Sequence, residues 1–332
     1  MAVVREAWLD LTKEDPLEPD LPICDSHHHL WNRPGRSPGY YLDAYLRDAS
    51  SGHNIVKTVY VECHESYRTE GPQEFRPVGE TEAVAACTRK LGPGGNTRVA
   101  AGIVAHADLT FGKSIIPVLE AHLEAGDNRV RGIRQICLWD ASPAFISYVS
   151  KGLMMEPKFR AGFACLERYG LVFDSTTSHA QLNELTELAR AFPATLIIVD
   201  HAGLPLGLGP YRCKDGDVYQ LWKFNMSELA TCPNVFVKLG GLGMPMCGFG
   251  WQDWYKPPSS LDLAHDMEPY YGFCIEKFGT KRCMFESNFP PDKESYSYNV
   301  MWNAFKRICT GFSQAEKADL FHDTAVSVYR LG

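Results

Sequence analysis

The chain has 332 residues, 45% of them hydrophobic and 22% charged, with 33 Lys and Arg against 40 Asp and Glu for a formal net charge of −7. That acidic balance, with no basic run or stripe, argues against a nucleic-acid partner, and no stretch reaches the uncharged apolar length that spans a bilayer. Eleven cysteines without one C-x-x-C pair fit small buried thiols in a reducing cytosol better than a disulfide framework or a zinc ribbon, so a cytoplasmic location is expected.

The first twenty residues are acidic and proline-spaced and lack the basic-then-apolar pattern of a signal peptide. They are expected to form a leader (1–20) ahead of a single domain spanning 21–332. Beyond it, strand-like and helix-like segments alternate. Strands are predicted at Ile23–His29, Val56–His64, Arg98–Ala105, Val130–Cys137, Leu171–Thr176, Thr195–His201, Val235–Leu239 and Arg282–Asn288. Helical periodicity covers Leu42–Asp48, Glu80–Leu91, Ile115–Ala125, Pro157–Tyr169, Gln181–Phe192, Val218–Thr231, Leu263–Phe278 and Asn299–Cys309. Ser178-His-Ala-Gln181 and Ser313-Gln-Ala-Glu316 fit capping boxes.

Eight β-then-α units predict an α/β fold closed into a (β/α)8 barrel. A doubly wound sheet would accept the same alternation, but histidines stand where it would carry a Gly-rich phosphate loop. The long irregular stretches Leu204–Asp217 and Gly243–Ser260 follow strand ends, on the face where barrel enzymes build pockets.

Strand one ends Asp25-Ser-His27-His28-His29, and alternation places His27 and His29 on one face with Asp25 and turns His28 away. Strand six ends in Asp200-His201. A barrel brings these ends to one mouth, where three neutral imidazoles can hold a zinc-like cation. Strand two ends Val59-Tyr60-Val61-Glu62-Cys63-His64. Alternation sends Val59 and Val61 to the helices and Tyr60, Glu62 and His64 inward, with Glu62 either a ligand or base or an ion-pair partner. On strand four, Arg134 lies nearer the mouth than Arg131, and a guanidinium there suits a substrate carboxylate or sulfonate. Lys238 sits mid-strand in strand seven, a position that demands pairing, ligation or a catalytic role. Strand eight continues Glu286-Ser-Asn288-Phe-Pro-Pro-Asp292, with Glu286 and Asn288 on one face. Trp251, Trp254 and Tyr255 are placed to close over a ring or simply to pack their loop.

In this order the segments Asp25-Ser-His27-His-His29-Leu-Trp31, Val61-Glu-Cys-His64, Val78-Gly-Glu-Thr-Glu82, Ala101-Gly-Ile-Val-Ala-His106, Arg131-Gly-Ile-Arg134, Val199-Asp-His201-Ala-Gly203 and Phe285-Glu-Ser-Asn-Phe-Pro290 resemble the amidohydrolase superfamily. The resemblance is to its amidohydrolase-related (amidohydrolase 2) lactonase branch, which includes 2-pyrone-4,6-dicarboxylate lactonase, sugar-acid lactonases and 4-sulfomuconolactone hydrolase, and covers about Leu21 to Leu331. It implies a distorted TIM barrel with a His-x-His pair at His27 and His29 and a third histidine at His201. It also implies a strand-eight aspartate that activates water, and Asn288 stands at that position. An amide cannot act as a general base, so Glu286, Asp292 or His64 is expected to take the proton, with Asn288 positioning water or substrate.

The expected cofactor is one divalent ion, zinc-like, held by His27, His29 and His201 with Glu62, although some lactonases of the branch work without one. The expected reaction is hydrolysis of a lactone of a small anionic compound, with Arg134 and Arg131 anchoring its charge and Trp251 and Trp254 against its ring. The alternatives are a metal-dependent non-oxidative decarboxylase and a non-catalytic ligand-binding barrel. The expected partner is the small anionic lactone-like substrate, with no nucleic acid and no membrane, and the sequence leaves a homo-oligomer open.

Overall fold

The computed structural model describes residues 4–31, 39–89, 97–147, 149–212 and 214–332. Its centre is a sheet of eight parallel strands in sequence order: β1 (Pro22–His28), β2 (Asn54–Val61), β3 (Arg98–His106), β4 (Val130–Ile136), β5 (Val172–Thr176), β6 (Ile197–Val199), β7 (Val235–Leu239) and β8 (Cys283–Phe285). Helices lie between successive strands, the longest being Ser260–Phe278 and Asp215–Ala230. This is a TIM barrel. Parallel strands buried on both faces read as apolar runs, and β5 to β8 are buried almost throughout. The last two residues of the predicted Glu80–Leu91 helix, after Arg89, lie outside the described residues.

The barrel is closed by side chains at its seam. Among the described residues β1 and β8 share no ladder; an isolated bridge, His28 to Phe289, joins β1 to the segment that follows β8. Asp25 spans the gap. Its fully buried carboxylate accepts hydrogen bonds from the Ser287 amide (2.9 Å) and hydroxyl (2.7 Å) and from the Tyr45 and Tyr298 hydroxyls (3.0 Å each). Asp25 therefore does not share a face with His27, as alternation predicted. Between Asp25 and His28 the β1–β2 register slips, three residues of β1 facing two of β2, and such a bulge inverts the alternation beyond it. Asp25 and His28 consequently both meet Tyr45, on whose ring His28 stacks at 4.0 Å.

On β2 the predicted facing is reversed. Val59 and Val61 join Cys24, Val104, Val172, Ile198 and Met284 in the barrel interior. Tyr60 points outward and donates to Glu80 on the Val78–Arg89 helix (2.7 Å). Glu62 and His64 follow the strand at the mouth instead of lying within it. The opposite end is stoppered by the C-terminal segment, whose Val328, Tyr329 and Leu331 fill the interior cluster. Arg131, expected in the pocket, donates from Nε to the Arg330 carbonyl at that stopper (3.2 Å). It sits early in β4, a strand's length from the mouth, and so cannot anchor substrate there.

Other local signals divide. Ser313 and Glu316 form the capping box expected of them, and Ser259 with Asp262 forms another. Ser178 caps nothing: the helix starts at Leu182, and the Gln181 amide is drawn instead to the loop after β4, donating to the Cys137 carbonyl (2.9 Å) and accepting from the Trp139 amide (3.0 Å). The acidic leader packs on the barrel through buried Trp8 and Leu9 and through Lys306, whose ammonium donates to the Leu17 and Glu18 carbonyls (2.7 and 2.9 Å). The ten described cysteines are all free. Among the described residues no helix is long and apolar enough to cross a membrane.

Removing the Asp25 carboxylate leaves an amide and three hydroxyls without their acceptor in a dry seam. Asp25→Ala is expected to destabilise the fold by about 3 kcal/mol, read as a lowered urea midpoint. A midpoint unchanged from the parent would show that the seam does not depend on this carboxylate.

Candidate active site

Contacts at the mouth converge on His27, which is fully buried. Its Nδ1 lies 2.8 Å from Glu286 Oε2, 3.2 Å from Lys238 Nζ and 3.5 Å from Asp200 Oδ1. Its Nε2 lies 3.2 Å from His29 Nε2 and 3.4 Å from Arg134 Nη1. Glu286 reaches across to His201 as well, accepting from its backbone amide (3.0 Å) and meeting Nδ1 at 2.7 Å. His201 holds φ +58° in the tight turn after β6. Gly241 clears space beside it, since a Cβ there would stand 2.4 Å from the His201 Cβ.

Below this layer Lys238 bonds Asp174 (2.6 Å) and Asp200 (3.2 Å), and Tyr329 from the stopper donates to Asp174 (2.7 Å). To the side, Arg134 donates from Nε to Glu62 Oε1 (2.8 Å) and from Nη2 to the Glu62 carbonyl. Arg134 is thus at the mouth as expected but already paired, and its charge offsets a protein carboxylate.

The electrostatics follow from burial set against neighbours. Burial alone would raise Glu286, but His201 and His27 hold it well below the usual carboxylate range. Burial likewise opposes the charge of His201, and Glu286, then Asp200, push its pKa up regardless. Burial would raise Glu62, yet Arg134, His106 and His64 lower it. Burial lowers His29, with His27 and Arg134 adding to the effect, so His29 stays neutral. Because its Nδ1 lies 2.8 Å from the Val61 carbonyl, which only accepts, the lone pair is on Nε2.

Asp292 is the counterexample. It is buried, accepts from Tyr296 (2.5 Å), Asn288 (2.8 Å) and the Gly243 amide (3.1 Å), and has no cation in contact with its carboxylate among the described residues. Burial pushes it up to about 7. Asn288 turns its amide to Asp292 from a left-handed backbone position (φ +50°). The strand pattern that would have kept it beside Glu286 ends at Phe285.

The donor set suits a divalent cation. Ligand atoms of His27, His201 and Glu286 lie within 4.8 Å of one another. The 3.2 Å between His27 Nε2 and His29 Nε2 is close to the ~3.3 Å that separates two nitrogens on one tetrahedral zinc with bonds of ~2.0 Å. Four buried carboxyl groups, Glu62, Asp174, Asp200 and Glu286, face only two buried cations of fixed charge, Arg134 and Lys238, in this layered interior. The expected set of His27, His29, His201 and Glu62 is not gathered as a unit. Arg134 stands between Glu62 and His27, and Glu286 occupies the place foreseen for Glu62.

The remaining candidates fall elsewhere. His64, at the rim and 42% exposed, lies 3.6 Å from Glu62 Oε2. Trp251 is buried in its own loop, stacked on Phe249 at 4.4 Å with Nε1 donating to Asp266 (3.0 Å). Trp254 is 42% exposed, and its carbonyl accepts from Trp8 of the leader (3.1 Å). The Trp251 side chain thus serves loop packing, and that of Trp254 is left exposed. Sequence reasoning missed Asp174 and His106, although a lone acid inside the apolar strand Val172–Thr176 was itself a signal.

Glu62 and Glu286, held below unfolded carboxyls that titrate near about 4.3, contribute stability that is complete above that value and lost as pH falls towards their folded pKa. The parent's urea midpoint should fall between about pH 5 and pH 3, and Glu62→Gln should show a shallower fall over the same range. Parallel slopes would contradict the assignment.

Three comparisons bear on this arrangement. The family profile described as amidohydrolase matches residues 24–331. "Uncharacterized protein y4mH" of Sinorhizobium fredii is 33% identical over 333 residues, covering 94% of this chain and 99% of that one, and an L-fucono-1,5-lactonase of Burkholderia ambifaria is 25% identical over 326 residues, covering 92% and 95%. A crystal structure of an amidohydrolase from Burkholderia multivorans with bound zinc superposes with a TM-score of 0.72 at 20% identity, covering 93% of this chain and 99% of that one, a likeness of fold.

Proposed function

Since the chain belongs to the amidohydrolase family, we propose that it is a hydrolase opening a lactone of a small anionic compound with a water activated at this mouth. The observation that carries the reading is the contrast between two buried carboxyl groups: Glu286 lies 2.7 and 2.8 Å from the His201 and His27 imidazoles, which hold it down, whereas Asp292 accepts from Tyr296, Asn288 and the Gly243 amide, all neutral, and burial pushes it up to about 7. Such divergence separates a permanent charge from a proton carrier. The similarity to an L-fucono-1,5-lactonase over most of both chains supports a cyclic ester as the substrate class.

In this reading Asp292 takes the place of the missing strand-eight aspartate. At neutral pH it is poised to accept the proton of water and return it to the departing alkoxide. Asn288 holds Oδ1 through its amide and Tyr296 holds Oδ2, so the carboxyl keeps one orientation through the proton transfer. His27, His201 and Glu286 would hold one divalent ion of the zinc class, which would supply electrophilic polarisation of the ester carbonyl, with His29 beside the Nε2 of His27. Arg134 and Lys238, both buried, hold Glu62 and Asp200 in fixed positions around this centre.

Asp292→Asn is expected to lower kcat by roughly 10²–10⁴-fold with little change in KM, measured as acid release from a panel of carboxylated and sugar-acid lactones. Because the base must be unprotonated, kcat/KM of the parent should rise with pH through about 7 and lose that limb in the variant. Carbon dioxide release in place of acid would assign the site to decarboxylation instead.

A further inference from the structure

Beside this centre, but separated from it by the Arg134 guanidinium, a second set of ligands comes together at the rim. Glu62 follows β2, His64 lies two residues on, and His106 ends β3. Ligand atoms of all three lie within 4.8 Å of one another. We propose that Glu62, His64 and His106 form a second binding site for a zinc-class divalent cation, distinct from the one at His27.

Three features of the cluster support it. First, Glu62 uses only Oε1 on Arg134; its Oε2 is buried and accepts no hydrogen bond from the described residues. A buried carboxylate oxygen left in that state is expensive, and it lies on the side where His64 Nε2 stands 3.6 Å away. That spacing is close to the ~3.4 Å between two donors sharing one tetrahedral ion. Second, His106 Nδ1 lies 3.1 Å from the Arg134 carbonyl. A carbonyl only accepts, so Nδ1 carries the hydrogen and Nε2 the lone pair, the outer-sphere arrangement typical of ligating histidines. That backbone is itself braced, because the His106 carbonyl accepts from His122 Nε2 (2.9 Å), whose Nδ1 meets Thr81 (2.8 Å). Third, the site opens outward: His64 is 42% exposed, giving the ion an entry path and leaving a coordination position for water or an anionic group.

Two imidazoles and one carboxylate form a donor set of intermediate hardness, suited to zinc and cobalt and poorly suited to calcium or magnesium. Tyr67, whose hydroxyl lies 3.4 Å from His64 Nδ1, borders the same group. The proposal does not require that the His27 centre hold a metal.

The test is metal stoichiometry and affinity of the purified full chain, stripped of metal and titrated with zinc, with cobalt as the spectroscopic probe. His64→Asn preserves the left-handed backbone that His64 adopts (φ +60°), and His106→Gln keeps a polar side chain. Each is expected to remove one equivalent of bound zinc or weaken it by at least about 100-fold, with the tetrahedral cobalt absorption of that equivalent lost. His27→Ala with His201→Ala should leave this equivalent in place. If both rim variants bind as many equivalents as the parent with the same affinity, or if all bound zinc disappears with His27 and His201 alone, the second site does not exist. Should His106→Gln not fold, the half-exposed His64→Asn decides by itself.

Discussion

A line of alternating charge buried inside the barrel governs this structure. It runs from Glu62 to Arg134, past His27 to Glu286 and Asp200, and on through Lys238 to Asp174 and the Tyr329 hydroxyl. No member would be tolerated there alone, because an unpaired charge in a dry interior shifts its pKa or unfolds its surroundings. Together they fix one another's positions. The surplus of carboxyl groups over fixed cations leaves the imidazoles, or a bound dication, to balance the charge. The mouth is therefore prepared electrostatically for positive charge before any substrate arrives.

Closure of the barrel and assembly of the site are one structural event. Asp25, which clamps the seam through Ser287, precedes His27 by two residues, and Ser287 lies between Glu286 and Asn288. The Asn288 backbone N–H donates to the His27 carbonyl (2.9 Å) and the His29 backbone N–H to the Phe289 carbonyl (2.8 Å). Bringing the first and last strands together thus places the imidazoles of one against the carboxylate of the other. The stopper at the opposite end contributes too, since Tyr329 orients the carboxyl group that holds Lys238.

Two acids near His201 illustrate how neighbours divide chemical roles. Glu286, pressed between imidazoles, remains charged and is suited to attract a cation. Asp292, surrounded by neutral donors, is pushed up to about 7 by burial. The family position that usually carries the base holds Asn288, whose amide is turned to steady Asp292. In the proposed reading, the proton-transfer role falls to Asp292, four residues along the chain.

The alternation of apolar strands with amphipathic helices was enough to specify an eight-stranded barrel, because strand and helix periods are local properties of the chain. The strand-end histidines His27, His29 and His201 were legible for the same reason, as polar residues at the ends of apolar runs. The facing of β2, the bulge that turns Asp25 away from His27, and the destination of Arg131 were not legible. A one-residue slip in register exchanges the two faces of a strand, and nothing local in the sequence announces the slip. The pairing of Arg134 with Glu62, the bridging position of Glu286 between His201 and His27, and the raised pKa of Asp292 depend on groups 72 and 85 residues apart, on the meeting of the first strand with the segment after the last, or on burial itself. Only the closed barrel brings those groups within reach of one another, and only its dry interior makes their charges matter.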